Sequence, residues 1–218
     1  MSVERLSPRI VISRDIRKGS TPYYISVHEQ EIDSFLSSRG VPAAEFPNLK
    51  IRISSEDLGE AANTVYEDKT DVTVAVSTGY AWKQYQEALK AAGDILDGNK
   101  ASNKPFQKFL YTKRLPRYLQ AAPKNRGLKT AEKLLRNGVS RELNGSFIHE
   151  LVHAADIFTD KYKFWYGNLG VAISNLFDFA RYIVDTSERE AARFEKKKRN
   201  DPNLRGILKI SPKNNSII

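Results

Sequence analysis

The sequence predicts an α+β protein, on two observations. Apolar residues alternate with period two in several segments before Ser77, and from Tyr80 onward they recur at helical spacing. At 218 residues and 40% hydrophobic content, the chain suits one domain and can bury a sizeable core.

The elements follow in order. Arg9 to Ser13 reads as a short strand on a loose arm that holds Pro8 and Gly19, and Tyr23 to Val27 as a second strand. Glu29 to Ser38 has helical spacing at Ile32, Phe35 and Leu36, with Gly40 as the stop. Leu49, Ile51 and Ile53 alternate with Lys50, Arg52 and Ser54, as a half-buried strand does. Ala62 to Tyr66, the polar turn Glu67-Asp68-Lys69-Thr70 and the alternating Val72, Val74 and Val76 make a hairpin. Trp82, Tyr85, Ala88, Leu89, Ala92, Ile95 and Leu96 fit a helix that Gly98-Asn99 ends. Thr130 to Arg136 looks helical, and Glu142 to Phe158 forms a separate amphipathic helix. Two more helices are expected, from about Gly170 to Val184 and from about Asp185 to Lys198. The tail from Asn200, with Pro202, Pro212 and Asn214-Asn215, is expected to be weakly ordered.

Composition removes several classes. Without cysteine there is no disulfide, and any metal site must use His, Asp or Glu. The N-terminus lacks the basic start and apolar core of a cleavable signal, so a cytoplasmic location is expected; an effector exported without such a signal would share this feature. The most apolar long stretch, Phe164 to Val184, contains Asn168, Asn175, Asp178 and Arg181, and reads as a buried helix, not a membrane span.

The chemistry concentrates at His149-Glu150-Leu151-Val152-His153. On a helix, positions i and i+4 share a face, so the two imidazoles can grip one zinc ion. Glu150 lies about 100° around the helix from His149, beside the metal, where its carboxylate can take a proton from a zinc-activated water as general base. With three histidines among 218 residues, chance would produce such a pattern only about 0.003 times. His28, near a strand end, reads as an ordinary polar residue.

A catalytic zinc needs a third protein ligand. No histidine follows His153, which rules out families that complete the motif with a third His, such as the metzincins and the SprT-like proteases. The ligand must be a carboxylate. Asp156, one turn beyond His153, suits support of a histidine better than the metal itself. Glu188 and Glu190 are the best candidates; two residues apart on a helix, they project to nearly opposite sides, so only one can serve. Either also fits a helix cap, with Asp185 or Ser187 as the N-cap.

The motif together with Glu188-Arg189-Glu190-Ala191-Ala192-Arg193-Phe194 resembles the gluzincins, and more narrowly the minigluzincins and lethal-factor-type catalytic domains. Their glutamate helix reads E-x-x-A-x-x-F. The resemblance implies Glu188 as the third zinc ligand, Ala191 at the small position, Phe194 at the aromatic one, and Tyr182 as stabiliser of the oxyanion. It also implies a zincin-like fold: a small twisted mixed sheet, an active-site helix, and a C-terminal helix that supplies the glutamate. The hairpin that ends in Asp71 to Ser77 resembles the edge where such domains take a peptide substrate as an added strand. Two departures are Ala192, where several gluzincins carry Asp or Asn, and about fifty residues between the hairpin and the motif helix.

Those intervening residues are basic. Lys100 to Gly138 holds eleven Lys or Arg against the single acid Glu132, so it carries more than the whole formal net charge of +9. Phe106, Phe109, Tyr111 and Tyr118 are interleaved. Three readings stand: a nucleic-acid or acidic-partner surface, a solvated helical insertion with inward aromatics, or a prosegment or lid shielding the cleft. The expected organisation is thus one metallopeptidase domain over residues 1–199, with a basic helical insertion at about 98–139, and a tail over 200–218. The expected reaction is zinc-dependent hydrolysis of a peptide bond. An inactive zinc scaffold whose basic segment binds nucleic acid, and a protease-type toxin with one protein target, are the other classes the motifs allow.

Overall fold

A computed structural model describes residues 2–5, 10–15, 23–41, 48–68, 71–107, 112, 114–159, 191–193 and 207–212. It is an α+β protein with a mixed five-stranded sheet in the order β1-β2-β4-β6-β5. The strands are β1 (Ser2–Arg5), β2 (Ile10–Asp15), β4 (Asn48–Ser54), β5 (Ala62–Asp68) and β6 (Asp71–Ser77). β2, β4 and β6 run parallel; β1 and β5 are antiparallel to their neighbours and form the two edges. β3 (Tyr23–Val27) pairs antiparallel with β7 (Leu208–Pro212) in a separate two-stranded sheet.

Alternation explains the sheet's apolar face. Leu49, Ile51 and Ile53 sit opposite Val72, Val74 and Val76, and Ile10 and Ile12 opposite Leu49 and Ile51. All eight are fully buried, while Lys50 and Arg52 point to solvent. Register is fixed by this pattern, because a slip of one residue would expose the whole set.

The helices are α1 (Glu29–Ser38), α2 (Thr78–Leu96), the short α3 (Lys104–Gln107) and α4 (Leu115–Ala121), and α5 (Lys124–Phe158). Gly40 ends α1 as expected: its φ of +84° suits glycine, and Val41 N–H bonds back to the Leu36 carbonyl at 3.1 Å. Ser77 caps α2, accepting from Tyr80 N–H at 3.1 Å.

Three expectations change. The loose arm at the N-terminus contributes β2, an interior strand; its apolar run is short in sequence, but neighbours on both sides complete its pairing. Within the supposedly weakly ordered tail, β7 forms: Ile207 and Leu208 are buried, His28 N–H bonds to the Ile207 carbonyl at 2.9 Å, and Leu208 N–H bonds to Asn144 Oδ1 at 3.1 Å. The separate helices at Thr130 to Arg136 and Glu142 to Phe158 are parts of one 35-residue helix, α5. Gly138 and Gly145 cost about 1 kcal/mol each relative to alanine in a helix interior. Both lie on its buried side, where tertiary packing overrides propensity. The expected helices over 170–184 and 185–198 fall outside the described residues, apart from 191–193, which are helical.

α2 lies antiparallel along the first half of α5. Leu96 meets Gly127 near one end, and Tyr85 hydrogen-bonds with Arg136 further on. Burial pushes the Tyr85 phenol above its ordinary pKa, with Arg136 acting in the opposite direction.

Two glycines bring elements into close contact and make a test. A Cβ at Gly79 would lie 2.2 Å from the Ser55 carbonyl oxygen, which is backbone, whereas one at Gly127 would meet Leu96 Cδ2 at 2.6 Å, which can turn away. Gly79→Ala is expected to lower stability in urea unfolding by about 1–3 kcal/mol. Gly127→Ala should change it less, because the alanine gains roughly 1 kcal/mol of helix propensity against a side chain that can yield. A Gly79→Ala protein as stable as the parent would show that the loop at 55–56 gives way freely.

Candidate metal centre

The second half of α5 carries the motif, on the part of the helix that meets β5 and β6. Phe147, Ile148, Leu151, Val152, Ala154 and Ala155 are buried around it. His153 is 6% exposed, while His149 and Glu150 are partly open. The helix therefore seats the site at the boundary between core and solvent.

One helical turn brings the two imidazoles together. Their Nε2 atoms are 3.0 Å apart, with ring centroids 4.8 Å apart and ring planes at 68°. Two imidazole nitrogens on one tetrahedral ion, each at ~2.0–2.1 Å, lie about 3.3 Å apart. The observed convergence is within a few tenths of an ångström of that. A carboxylate oxygen of Glu150 completes the group, whose ligand atoms all lie within 4.8 Å of one another. Two converging neutral nitrogen donors with an adjacent carboxylate can hold a divalent metal ion.

Two contacts that sequence reasoning missed hold this segment in place. Thr64 Oγ1, on the edge strand β5, donates to the Glu150 carbonyl at 3.1 Å. It fastens the sheet edge to the helix at the motif itself. Arg39, just past α1, donates from Nη2 to Asp156 Oδ1 at 3.0 Å, with both side chains nearly buried. Asp156 thus has a salt-bridge partner at the C-terminal end of α1, 117 residues away in sequence. No local pattern announces such a pair; only an arginine just before a helix stop and an aspartate on a buried helix face hint at it.

The hairpin is placed as expected, but the edge is β5, with β6 one strand in. Glu188, Glu190 and Tyr182 lie outside the described residues. Ala191, at the small position of the E-x-x-A-x-x-F pattern, is helical and 0% exposed. His28 is exposed at the N-cap of α1 and takes no part in the group. Among the described residues, no helix is long and apolar enough to cross a membrane. Comparison with known proteins returns no match, whether to family models, curated sequences or solved structures.

The Arg39–Asp156 pair gives a prediction. Removing one partner leaves a buried charge without its counterion, so Arg39→Leu or Asp156→Leu should each cost about 3 kcal/mol or more. The double variant should recover part of that loss, because no charge remains buried. Denaturant unfolding of the four proteins measures this, and strictly additive losses would mean that the pair is not coupled.

Proposed function

We propose that this chain is a zinc-dependent metallopeptidase of gluzincin type, with a zincin-like arrangement of sheet and helix. The observation that carries the proposal is the convergence of His149 and His153 Nε2 at 3.0 Å with Glu150 beside them. Zinc suits a donor set of two imidazoles and a carboxylate, and Glu188 is the proposed third ligand. Burial of Ala191 on a helix supports this, since the pattern that assigns Glu188 requires a small inward residue there.

A zinc ion held by His149, His153 and Glu188 would supply Lewis acidity here and would bring the pKa of a water to roughly 7. The chain's residues do the rest. Glu150 accepts a proton from the attacking water and passes it to the departing amine, a role that needs a carboxylate adjacent to the metal but not consumed by it. Tyr182 is the proposed donor to the oxyanion.

β5 supports the choice of a peptide as substrate. It is an antiparallel edge strand, paired on one side with β6 and tied to the motif through Thr64. Among the described residues no strand pairs with its outer edge, whose backbone donors and acceptors would take an extended peptide as a further strand. Val65, 55% exposed on this strand, is available to a substrate side chain.

Metal analysis of the purified protein tests the site. About one zinc per chain is expected, lost in His153→Ala and strongly reduced in Glu188→Gln. Loss of zinc in Glu190→Gln but not in Glu188→Gln would move the third ligand. Glu150→Gln should keep its zinc and lose at least about 100-fold in peptide cleavage. Tyr182→Phe should lower turnover with zinc content unchanged; loss of zinc there would mean a structural role. A protein that takes up no zinc after reconstitution would overturn the proposal.

A further inference from the structure

The first half of α5 carries a second constellation, remote from the metal centre. Arg126, Lys129 and Lys133 recur at spacings of three and four and are all exposed, so they line one side of the helix. With Asn125, Thr130 and Leu134 they border a groove of about 710 Å³. No acidic side chain lines it. Among the described residues, none forms an ion pair with Arg126, Lys129 or Lys133, whereas the neighbouring Lys124 is paired with Asp97. Three unneutralised cations within about 10 Å of helix repel one another, and a bound polyanion relieves that repulsion.

An aromatic residue stands beside them. Tyr118 of α4 is 40% exposed, one of few large apolar side chains so placed among the described residues. Its hydroxyl lies 3.3 Å from Thr130 Oγ1, which holds the ring at the lip of the groove. Phe106 differs: it is fully buried and belongs to the core. Cations alone fit any polyanion. Cations flanking a tethered, exposed ring fit one whose units alternate phosphates with flat faces.

The geometry points to a binding surface for single-stranded nucleic acid, with Arg126, Lys129 and Lys133 on the phosphates and Tyr118 stacked on a base. A duplex would satisfy the cations but keeps its bases stacked on each other, out of reach of the ring. Lys129 and His149 are twenty residues apart on one helix, roughly 30 Å along its axis. The surface therefore neither covers the metal centre nor depends on the peptidase proposal.

Fluorescence anisotropy with labelled 15-nucleotide single strands, one DNA and one RNA, tests this on the intact chain. Saturable binding is expected at low salt. If three phosphates are neutralised, affinity should fall about 20-fold between 50 and 200 mM salt. Lys129→Glu with Lys133→Glu should abolish measurable binding, and Tyr118→Ala should weaken it at least about five-fold, the low end of base–aromatic stacking. All these changes are on the surface, and each variant is expected to give the parent's circular dichroism spectrum. No binding at low salt would overturn the inference. So would equal affinity for a duplex or for polyglutamate combined with indifference to Tyr118→Ala, which would identify a general polyanion surface.

Discussion

Burial of one continuous side of α5 organises this molecule. Over 35 residues that side runs from Gly127 to Ile157, and no single partner covers it. α4 and α2 cover the first turns, β7 reaches the helix at Asn144, the sheet edge at Glu150, and the end of α1 at Asp156. Each of these contacts joins the helix to residues distant in sequence. A helix with a weak hydrophobic pattern and three glycines, Gly127, Gly138 and Gly145, is stable only because its tertiary partners are supplied along its length. The group of His149, Glu150 and His153, which could hold a metal ion, is placed by them: the two histidines are one turn apart on a helix fastened by Thr64 at the Glu150 carbonyl and by Arg39 at the Asp156 side chain.

The same constraint explains why the motif can sit half-open without loss of order. Residues on a helix that must point inward leave those about 100° away at the boundary. Leu151, Val152, Ala154 and Ala155 occupy the core, and His149 and Glu150 are left partly accessible as a consequence. A metal site needs both conditions: fixed ligands and an open side.

Much of this was legible in the sequence because it is local. β3 and α1 appear at the residues that periodicity assigns, β4, β6 and α2 lie within a few residues of theirs, and the i, i+4 histidines meet because helix geometry alone brings them together. What was not legible is pairing across distance. The three-residue apolar run of β2 reads as a short strand, but its place inside the sheet, between β1 and β4, is not visible locally. β7 looks like a polar tail until β3 supplies its hydrogen bonds. The one helix α5 reads as two, at Thr130 to Arg136 and Glu142 to Phe158, because local spacing does not see the partners that bury Gly138 between them. Arg39 and Asp156 carry no signal for each other at a separation of 117 residues. Long-range polar pairs are chosen by packing, and a single sequence does not record packing.

The basic segment shows how structure separates readings that composition leaves level. Its charge could belong to a solvated face, to a lid or to a binding surface. Phe106 is buried as a solvated insertion with an inward aromatic requires, yet Tyr118 is exposed and tethered beside uncompensated cations, which such an insertion has no need of. The lid reading fails for residues 124–133: they belong to the same continuous helix as His149, and a helix cannot fold back over its own far end. The rigidity that fixes the two histidines also keeps the cationic groove at a constant distance from them. If both surfaces are used, they address different parts of a target, or different targets, about 30 Å apart.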